Sequence, residues 1–200
     1  ELFRTQLRAA LRASVYGELW IMVPMVGSLD DIRRVKTFFR QVKDELTREG
    51  AVVDENVRFG IMIEIPAIAM VADIAAQEVD FASIGTNDLC QYLCAVDRMN
   101  PKLEDYYQSY SPAMVRVIGQ VASAFRRAGK PLSVCGEMAG DSYGAKLLAG
   151  LGVRKLSVSP SKVASVKAAL AQITLAEAQA LAEKSKAAAT QQEVVELFVT

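Results

Sequence analysis

The feature that most constrains the fold is a repeated alternation of strand-like and helix-like segments. Short apolar runs bounded by turn residues are typical of buried strands, and they occur at residues 19–25, 57–65, 80–85, 131–135 and 155–159. Segments with apolar residues at helical spacing lie between them. This alternation predicts parallel strands that are joined by crossover helices.

Two architectures contain such repeats: an open doubly wound sheet and a (β/α)8 barrel. No Gly-x-Gly-x-x-Gly sequence follows any of the predicted strands, which disfavours a dinucleotide-binding sheet. About five strand–helix units are too few for a complete barrel, whose usual size is about 250 residues. We therefore predict an α/β fold in which residues 1–200 form the C-terminal part of a (β/α)8 TIM barrel, with the first strands absent from the chain.

Local signals predict several element boundaries. Ser28 has the features of a helix N-cap, and Thr174 begins the pattern of a capping box. Residues 66–77 are expected to form one helix that is opened by its proline. Ser161 is the predicted cap of a later helix, and residues 86–110 are predicted to be rich in loops.

Composition narrows the class of protein further. Lysine plus arginine and aspartate plus glutamate each total 23, and this balance argues against a general nucleic-acid binder. No apolar stretch approaches the ~20 residues of a membrane span, so we expect no membrane insertion. Three cysteines without metal-type spacing fit a reducing cytosol, so a cytoplasmic location is expected. The chain has no histidine and therefore no phosphohistidine of its own.

Polar residues with chemical potential follow three of the predicted strands. Glu64 ends the second strand, Asn87 and Asp88 follow the third, and Cys135 ends the fourth. In a barrel, functional side chains come from these carboxyl ends of strands. If the second and third strands pair, the two carboxylates stand roughly 4.8 Å apart, a separation that suits Mg²⁺ coordination. For Glu64, which has apolar neighbours, a buried salt bridge is the alternative.

Gly85 has one expected role, whereas Arg98 and Cys135 have two interpretations each. Gly85 is expected to let the chain turn out of the sheet, so that Asn87 and Asp88 face the mouth. From spacing alone, Arg98 is a solvated or salt-bridging arginine, although near a cation it would suit a phosphate or carboxylate. Cys135 is either a buried core thiol or a nucleophile or proton donor at the mouth. Cys90 and Cys94 are interpreted as packing residues.

Four segments carry a resemblance to a known family: IMIEIP, VDFASIGTNDLCQY, AVDRMN and CGEMAGD, in this order. Together they resemble the C-terminal domain of enzyme I, the phosphoenolpyruvate–protein phosphotransferases of the bacterial sugar phosphotransferase system. The resemblance implies a barrel that binds phosphoenolpyruvate and Mg²⁺ at its carboxyl mouth. By this analogy Glu64 and Asp88 bind Mg²⁺, Asn87 and Arg98 contact the phosphate, and Cys135 protonates the enolate to give pyruvate.

The resemblance also implies partners. The phosphoryl group would pass to a histidine on a separate N-terminal domain and then to a small phosphocarrier protein, and the family forms homodimers through this domain. The sequence departs from the family at Met99, where glycine is usual, and at Cys90, where threonine is usual. The family's phosphate-binding arginines lie on the first barrel strands, which this chain lacks, so we expect the isolated chain to be inactive.

Two alternative functions remain open at this stage. One is a catalytically silent module for dimerisation or ligand binding. The other is an enzyme of the pyruvate phosphate dikinase or phosphoenolpyruvate synthase type, which uses ATP. Upstream sequence would discriminate enzyme I from a dikinase, because enzyme I carries a phosphohistidine domain and a dikinase carries an ATP-grasp region there.

Overall fold

A computed structural model of the protein describes residues 1–199. Its centre is a sheet of five parallel strands, in the order β1-β2-β3-β4-β5. The strands are β1 (Trp20–Val23), β2 (Arg58–Ile63), β3 (Phe81–Gly85), β4 (Leu132–Cys135) and β5 (Lys155–Leu156). A doubly wound sheet reverses its strand order at one point, whereas this order follows the chain throughout. The predicted α/β fold of the barrel type is confirmed.

The sheet is strongly curled. Lys155 at the start of β5 places its Nζ atom 5.1 Å from the ring centroid of Trp20 at the start of β1. These strands are the two edges of the sheet, so a flat sheet would hold them far apart. The Trp20 ring also packs on Phe81 of β3, with 4.8 Å between the ring centroids. The two aromatic rings therefore fill the concave face at the amino end of the sheet.

Helices connect the strands. They are α1 (Leu2–Ala13), α2 (Leu29–Arg48), α3 (Pro66–Met70), α4 (Ala72–Glu78), α5 (Thr86–Leu93), α6 (Pro112–Arg127), α7 (Glu137–Gly140), α8 (Ser142–Gly150), α9 (Val163–Ala171), α10 (Leu175–Ala187) and α11 (Gln191–Val199). Short 3₁₀ turns lie at Ser14–Tyr16, Pro101–Tyr106 and Pro160–Lys162. Within residues 1–199 no helix is both long enough and apolar enough to cross a membrane.

The main core lies on the face of the sheet opposite the concave one. Side chains alternate between the two faces of a strand, and Ile61, Ile63 and Ile84 point the same way and are fully buried. They belong to one apolar cluster with Ile118 and Phe125 of α6. The alternate positions of the same strands face the concave side, where functional side chains of a barrel gather at the carboxyl end.

Most local boundary signals are confirmed, and three are corrected. Ser28 and Thr174 both form complete capping boxes. The helix predicted over residues 66–77 is broken at Val71, whose amide bonds the carbonyl of Ile68 three residues earlier. The loop-rich stretch predicted over residues 86–110 begins with a helix, α5, which has no side-chain cap to announce it, and the loops follow from Cys94 onward.

The predicted cap at Ser161 is also wrong. Pro160 opens a 3₁₀ turn that contains Ser161, and α9 begins only after that turn. The Ser161 hydroxyl lies 3.1 Å from the Ser159 hydroxyl instead of accepting a helix amide. The proline therefore moves the helix start beyond the serine that looked like its cap.

We expect a large loss of stability when a methyl group is added at Gly150. A Cβ there would lie 2.1 Å from the carbonyl oxygen of Ala178, where α8 packs on α10. Because backbone atoms would have to move, Gly150→Ala should lower the free energy of unfolding by about 1–3 kcal/mol or more. Denaturant unfolding followed by circular dichroism measures the change. Gly17→Ala is the matched control, since no atom lies within 4 Å of its added Cβ, and equal stability of the two variants would contradict the packing argument.

Ion pairs between α1 and α2 predict a specific acid sensitivity. Hydrogen bonds from Arg4 and Arg8 hold the pKa values of Glu45 and Glu49, respectively, below their usual range. A carboxyl group whose pKa is lowered by folding stabilises the fold at pH values above its ordinary pKa of about 4.3. This stabilisation is lost as the pH falls through the pKa of the folded state. We expect the Glu45→Gln/Glu49→Gln variant to lose less unfolding free energy than its parent across this acid range. Identical slopes of stability against pH would contradict this expectation.

Candidate active site at the carboxyl end of the sheet

Three neighbouring strands end in one row. Ile63 of β2 pairs with Ile84 of β3, and Gly85 pairs with Cys135 at the end of β4. Glu64 directly follows Ile63, so it lies beside Gly85 in the same register. The carboxyl ends of β2, β3 and β4 therefore bring Glu64 and Cys135 to opposite sides of Gly85.

Glu64 is buried, and a backbone amide donates to its carboxylate. Its side chain is 3% exposed, and Oε1 accepts the backbone N–H of Met25 at 2.6 Å. Burial raises the pKa of Glu64, the Met25 bond lowers it, and the nearby Asp88 carboxyl raises it further. Glu64 forms no ion pair with any of residues 1–199, so the alternative of a buried salt bridge at Glu64 is not observed.

Asp88 reaches the same point from a helix rather than from a strand end. It lies in the first turn of α5, and its carboxyl group is near enough to Glu64 to raise the pKa of that residue. Asp88 Oδ1 is also 3.2 Å from the NH2 atom of Arg98. The predicted meeting of the two carboxylates is thus observed, although the helix N-terminus and not strand spacing sets their separation.

The reason for glycine at position 85 differs from the predicted one. Gly85 has φ −86° and ψ 87°, a conformation that does not need positive φ. A Cβ there would lie 3.0 Å from Glu64 Oε2 and 3.0 Å from Met62 Sδ. The missing side chain therefore leaves room for the Glu64 carboxylate instead of enabling a turn.

Cys135 opens onto a cavity of about 700 Å³ at this end of the sheet. The cavity is lined by Asn87, Cys135, Gly136, Glu137, Gly140, Asp141, Ser157, Val158, Ser159 and Lys162. The Cys135 thiol is partly buried and donates to the carbonyl oxygen of Ile84, with 3.5 Å between sulfur and oxygen. The Cys135 thiol therefore lies at the mouth of the sheet and not in the buried core.

A tight contact joins α5 to the loop after β4. Asn87 Oδ1 accepts the backbone N–H of Glu137 at 3.0 Å, and Thr86 Oγ1 donates to the Cys135 carbonyl at 3.0 Å. Gly136 lies between them with φ 104°, and a Cβ there would be 2.4 Å from Thr86 Oγ1. Both the conformation and the space require glycine, so this position fixes Asn87 beside Cys135.

Arg98 and the other two cysteines lie near the site without lining the large cavity. Arg98 borders a neighbouring cavity of about 360 Å³ formed by residues 97–107, and its guanidinium pairs with Asp88. Cys90 is fully buried in the core with its sulfur 4.0 Å from that of Cys94. Burial raises the pKa of the Cys90 thiol to about 12, as expected for a packing residue.

Sequence reasoning missed Ser83 and Asp141. Ser83 is a hydroxyl in the middle of the apolar strand β3, and this break in the apolar run was a usable signal. Asp141 caps α8 through the amides of Tyr143 and Gly144, and it accepts the hydroxyl of Tyr110. Tyr110 lies 31 residues earlier, so nothing local in the sequence could have shown that pairing.

The Glu64 and Asp88 carboxyl groups lie close together at this site. Within residues 1–199 no group of three or more histidine, cysteine, aspartate or glutamate side chains could enclose a metal ion. A cation held by Glu64 and Asp88 alone would take most of its coordination positions from water or from ligand oxygens. Mg²⁺ binds in this way at phosphate-containing sites.

Comparison with known proteins agrees with this geometry. Residues 1–175 match the family described as PEP-utilising enzyme, PEP-binding domain. Curated phosphoenolpyruvate–protein phosphotransferases from Bacillus sp. (strain S) and Geobacillus stearothermophilus are each 46% identical over 195 residues. The enzyme of that name from Staphylococcus epidermidis is 45% identical over 197 residues. Each alignment covers 98% of this chain but 34% of the relative, so the chain spans about a third of their length.

A solved structure supports the fold alone. A citrate lyase from Burkholderia xenovorans LB400 superposes with a TM-score of 0.61 at 19% identity, covering 98% of this chain and 66% of that one. The family match covers most of the chain, and the enzyme I resemblance predicted from four motifs is confirmed. The chain belongs to the PEP-utilising enzyme family, with the match lying in the PEP-binding domain of that family.

Proposed function

We propose that residues 1–200 form the phosphoenolpyruvate- and Mg²⁺-binding part of a cytoplasmic phosphoenolpyruvate–protein phosphotransferase, with all 200 residues in one partial barrel. The enzyme would pass the phosphoryl group of phosphoenolpyruvate to a histidine on another domain and release pyruvate, as the first step of sugar uptake. One observation carries the proposal: the Glu64 and Asp88 carboxyl groups lie close together at the sheet end that also holds Cys135. The names of the relatives support the same activity.

The fit to a cation follows from electrostatics. Two carboxylates that lie close together, one of them buried, repel unless a proton or a cation lies between them. Bound Mg²⁺ would supply charge neutralisation for the phosphate at this point. A cation on Asp88 would also compete with Arg98 for the same carboxylate. Once released from Asp88, Arg98 is well suited to bind a phosphate oxygen. Asn87 lines the cavity onto which Cys135 opens.

Cys135 is placed to handle the proton that pyruvate formation requires. Loss of the phosphoryl group leaves an enolate, which becomes pyruvate when its terminal carbon gains a proton. A thiol that opens onto the cavity is a suitable general acid for that carbon. We assign this role to Cys135, while Asn87 and Arg98 hold the phosphate end of the substrate.

The remaining participants lie outside this chain. The 200 residues contain no histidine, so the histidine acceptor would lie outside them, and we propose the same for the docking region of the phosphocarrier protein. We also propose a homodimer, for which exposed apolar side chains near the site offer support. Met99 and Tyr106 are 81% and 66% exposed, in the segment that follows α5.

The experiment that tests the function uses the full-length protein. It is incubated with phosphoenolpyruvate and Mg²⁺ but without ATP, while pyruvate and protein-bound acid-labile phosphate are measured. We expect both to appear in equal amounts. Formation of ATP from the protein-bound phosphate when AMP and pyrophosphate are added would favour the dikinase-type enzyme, and absence of both products would favour the catalytically silent module.

We expect the isolated 200 residues to bind substrate weakly. The described site offers Arg98 and Lys162 as nearby cations, and the family's other phosphate-binding arginines lie on strands that this chain lacks. Calorimetric titration with phosphoenolpyruvate in the presence of Mg²⁺ should therefore give a dissociation constant in the millimolar range, or about 4 kcal/mol of binding free energy. Tight, Mg²⁺-dependent binding would contradict the need for the missing strands.

A further inference from the structure

A buried hydroxyl beside Cys135 has no part in the function described so far. Ser83 lies in the middle of β3 and is 4% exposed. Burial of a hydroxyl costs free energy unless it forms a hydrogen bond. The partner that Ser83 uses is the sulfur of Cys135, with 3.5 Å between Oγ and Sγ. Alanine would satisfy the packing at this position. The serine adds a hydroxyl that donates a hydrogen bond to the Cys135 sulfur.

The two hydrogen bonds of Cys135 give the thiol a direction. The Cys135 S–H donates to the carbonyl of Ile84, and the Ser83 O–H donates to the Cys135 sulfur. We propose that Ser83 is a positioning residue that orients this thiol and stabilises the thiolate formed when Cys135 gives up its proton. The inference rests on the proposed role of Cys135 as proton donor.

The proposed step balances in atoms and charge. The S–H bond of Cys135 breaks as a C–H bond forms at the terminal carbon of the enolate, and the sulfur keeps the electron pair. The resulting thiolate is a stronger acceptor than the thiol, so the Ser83 hydrogen bond strengthens as the proton leaves. Hydrogen bonds to charged groups stabilise more than neutral ones, which makes this contact favourable to the transfer.

The neighbouring strand supplies a matched control. Ser133 of β4 pairs with Ser83 in the sheet register, so both side chains lie on the concave face. Its hydroxyl donates to the carbonyl of Ala82, at 3.4 Å, and not to sulfur. Replacing Ser133 by alanine removes a similar hydroxyl from the same face but leaves the contact with Cys135 intact.

The test compares Ser83→Ala with Ser133→Ala in the full-length protein. Alkylation of Cys135 by iodoacetamide, quantified by peptide mass spectrometry, reports on the thiolate without any substrate. For Ser83→Ala we expect alkylation about tenfold slower, and kcat for pyruvate formation about tenfold lower, with an unchanged KM for phosphoenolpyruvate. Ser83→Thr, which keeps the hydroxyl, should recover both rates. Ser133→Ala should stay within about twofold of the parent.

The inference and the proposed function fail in different ways. Parent-like alkylation of Ser83→Ala, or an equal effect of Ser133→Ala, would overturn the role of Ser83 whatever the activity. Turnover that does not depend on Cys135 would instead overturn the proton-donor assignment. If Ser83→Ala unfolds at the assay temperature, the alkylation and turnover of all four proteins are measured at a lower temperature, with the same expectation.

Discussion

Glu64→Gln in the full-length enzyme is expected to lower pyruvate formation by about a thousandfold. The substitution keeps the size of the side chain, and the amide oxygen of glutamine can still accept the hydrogen bond from the Met25 N–H. It removes one of the two charges that face the same opening, and with it the attraction for a divalent cation. A steady-state assay of pyruvate release over a wide range of Mg²⁺ concentrations measures the effect.

The fold should survive this substitution. Burial and the neighbouring Asp88 carboxyl raise the pKa of Glu64, so the charged form is unfavourable in the protein without a cation. The neutral amide should therefore leave the thermal midpoint unchanged or raise it. Glu55→Gln is the control, because Glu55 is an exposed carboxylate that pairs with Lys43 on the surface. Activity of Glu64→Gln within tenfold of that control would contradict the metal assignment.

Cys135→Ala should abolish most of the pyruvate formation while leaving phosphoryl transfer to the protein measurable. A positioned general acid contributes about 10²–10⁴-fold to a rate. The enolate left after phosphoryl transfer would then await a proton from water. Rapid-quench measurement of protein-bound phosphate and of pyruvate separates the two steps.

The control for this variant is Cys94→Ala. Cys94 follows α5 directly and does not line the large cavity. It should form pyruvate at the parent rate. A Cys135→Ala enzyme that forms pyruvate as fast as it accepts phosphate would remove the thiol from the chemistry.

The sequence predicted the fold class because its signals are local. Strand-length apolar runs, the cap at Ser28 and the capping box at Thr174 act within a few residues, so they could be read directly. The break at Val71 depends on the carbonyl to which its amide donates, and the later start of α9 on the partner that the Ser161 hydroxyl takes. Such competition is decided by the folded environment and leaves little trace in the pattern of residues.

The site was predictable in its members but not in its geometry. Glu64, Asp88 and Cys135 stand out because each interrupts or ends an apolar strand region. Their mutual arrangement depends on α5 beginning directly at the end of β3, which brings Asp88 back to Glu64 from the helix side. The contact between Ser83 and Cys135 depends on strand register across 52 residues, which a single sequence does not show.

The most direct measurement is diffraction from crystals of the full-length protein soaked with phosphoenolpyruvate and Mn²⁺ in place of Mg²⁺. Anomalous scattering locates the metal without any assumption about its ligands. The account predicts one peak about 2.1 Å from carboxylate oxygens of both Glu64 and Asp88, on the side that faces Cys135. A peak that touches neither carboxylate, or none at this mouth with substrate bound, would contradict it.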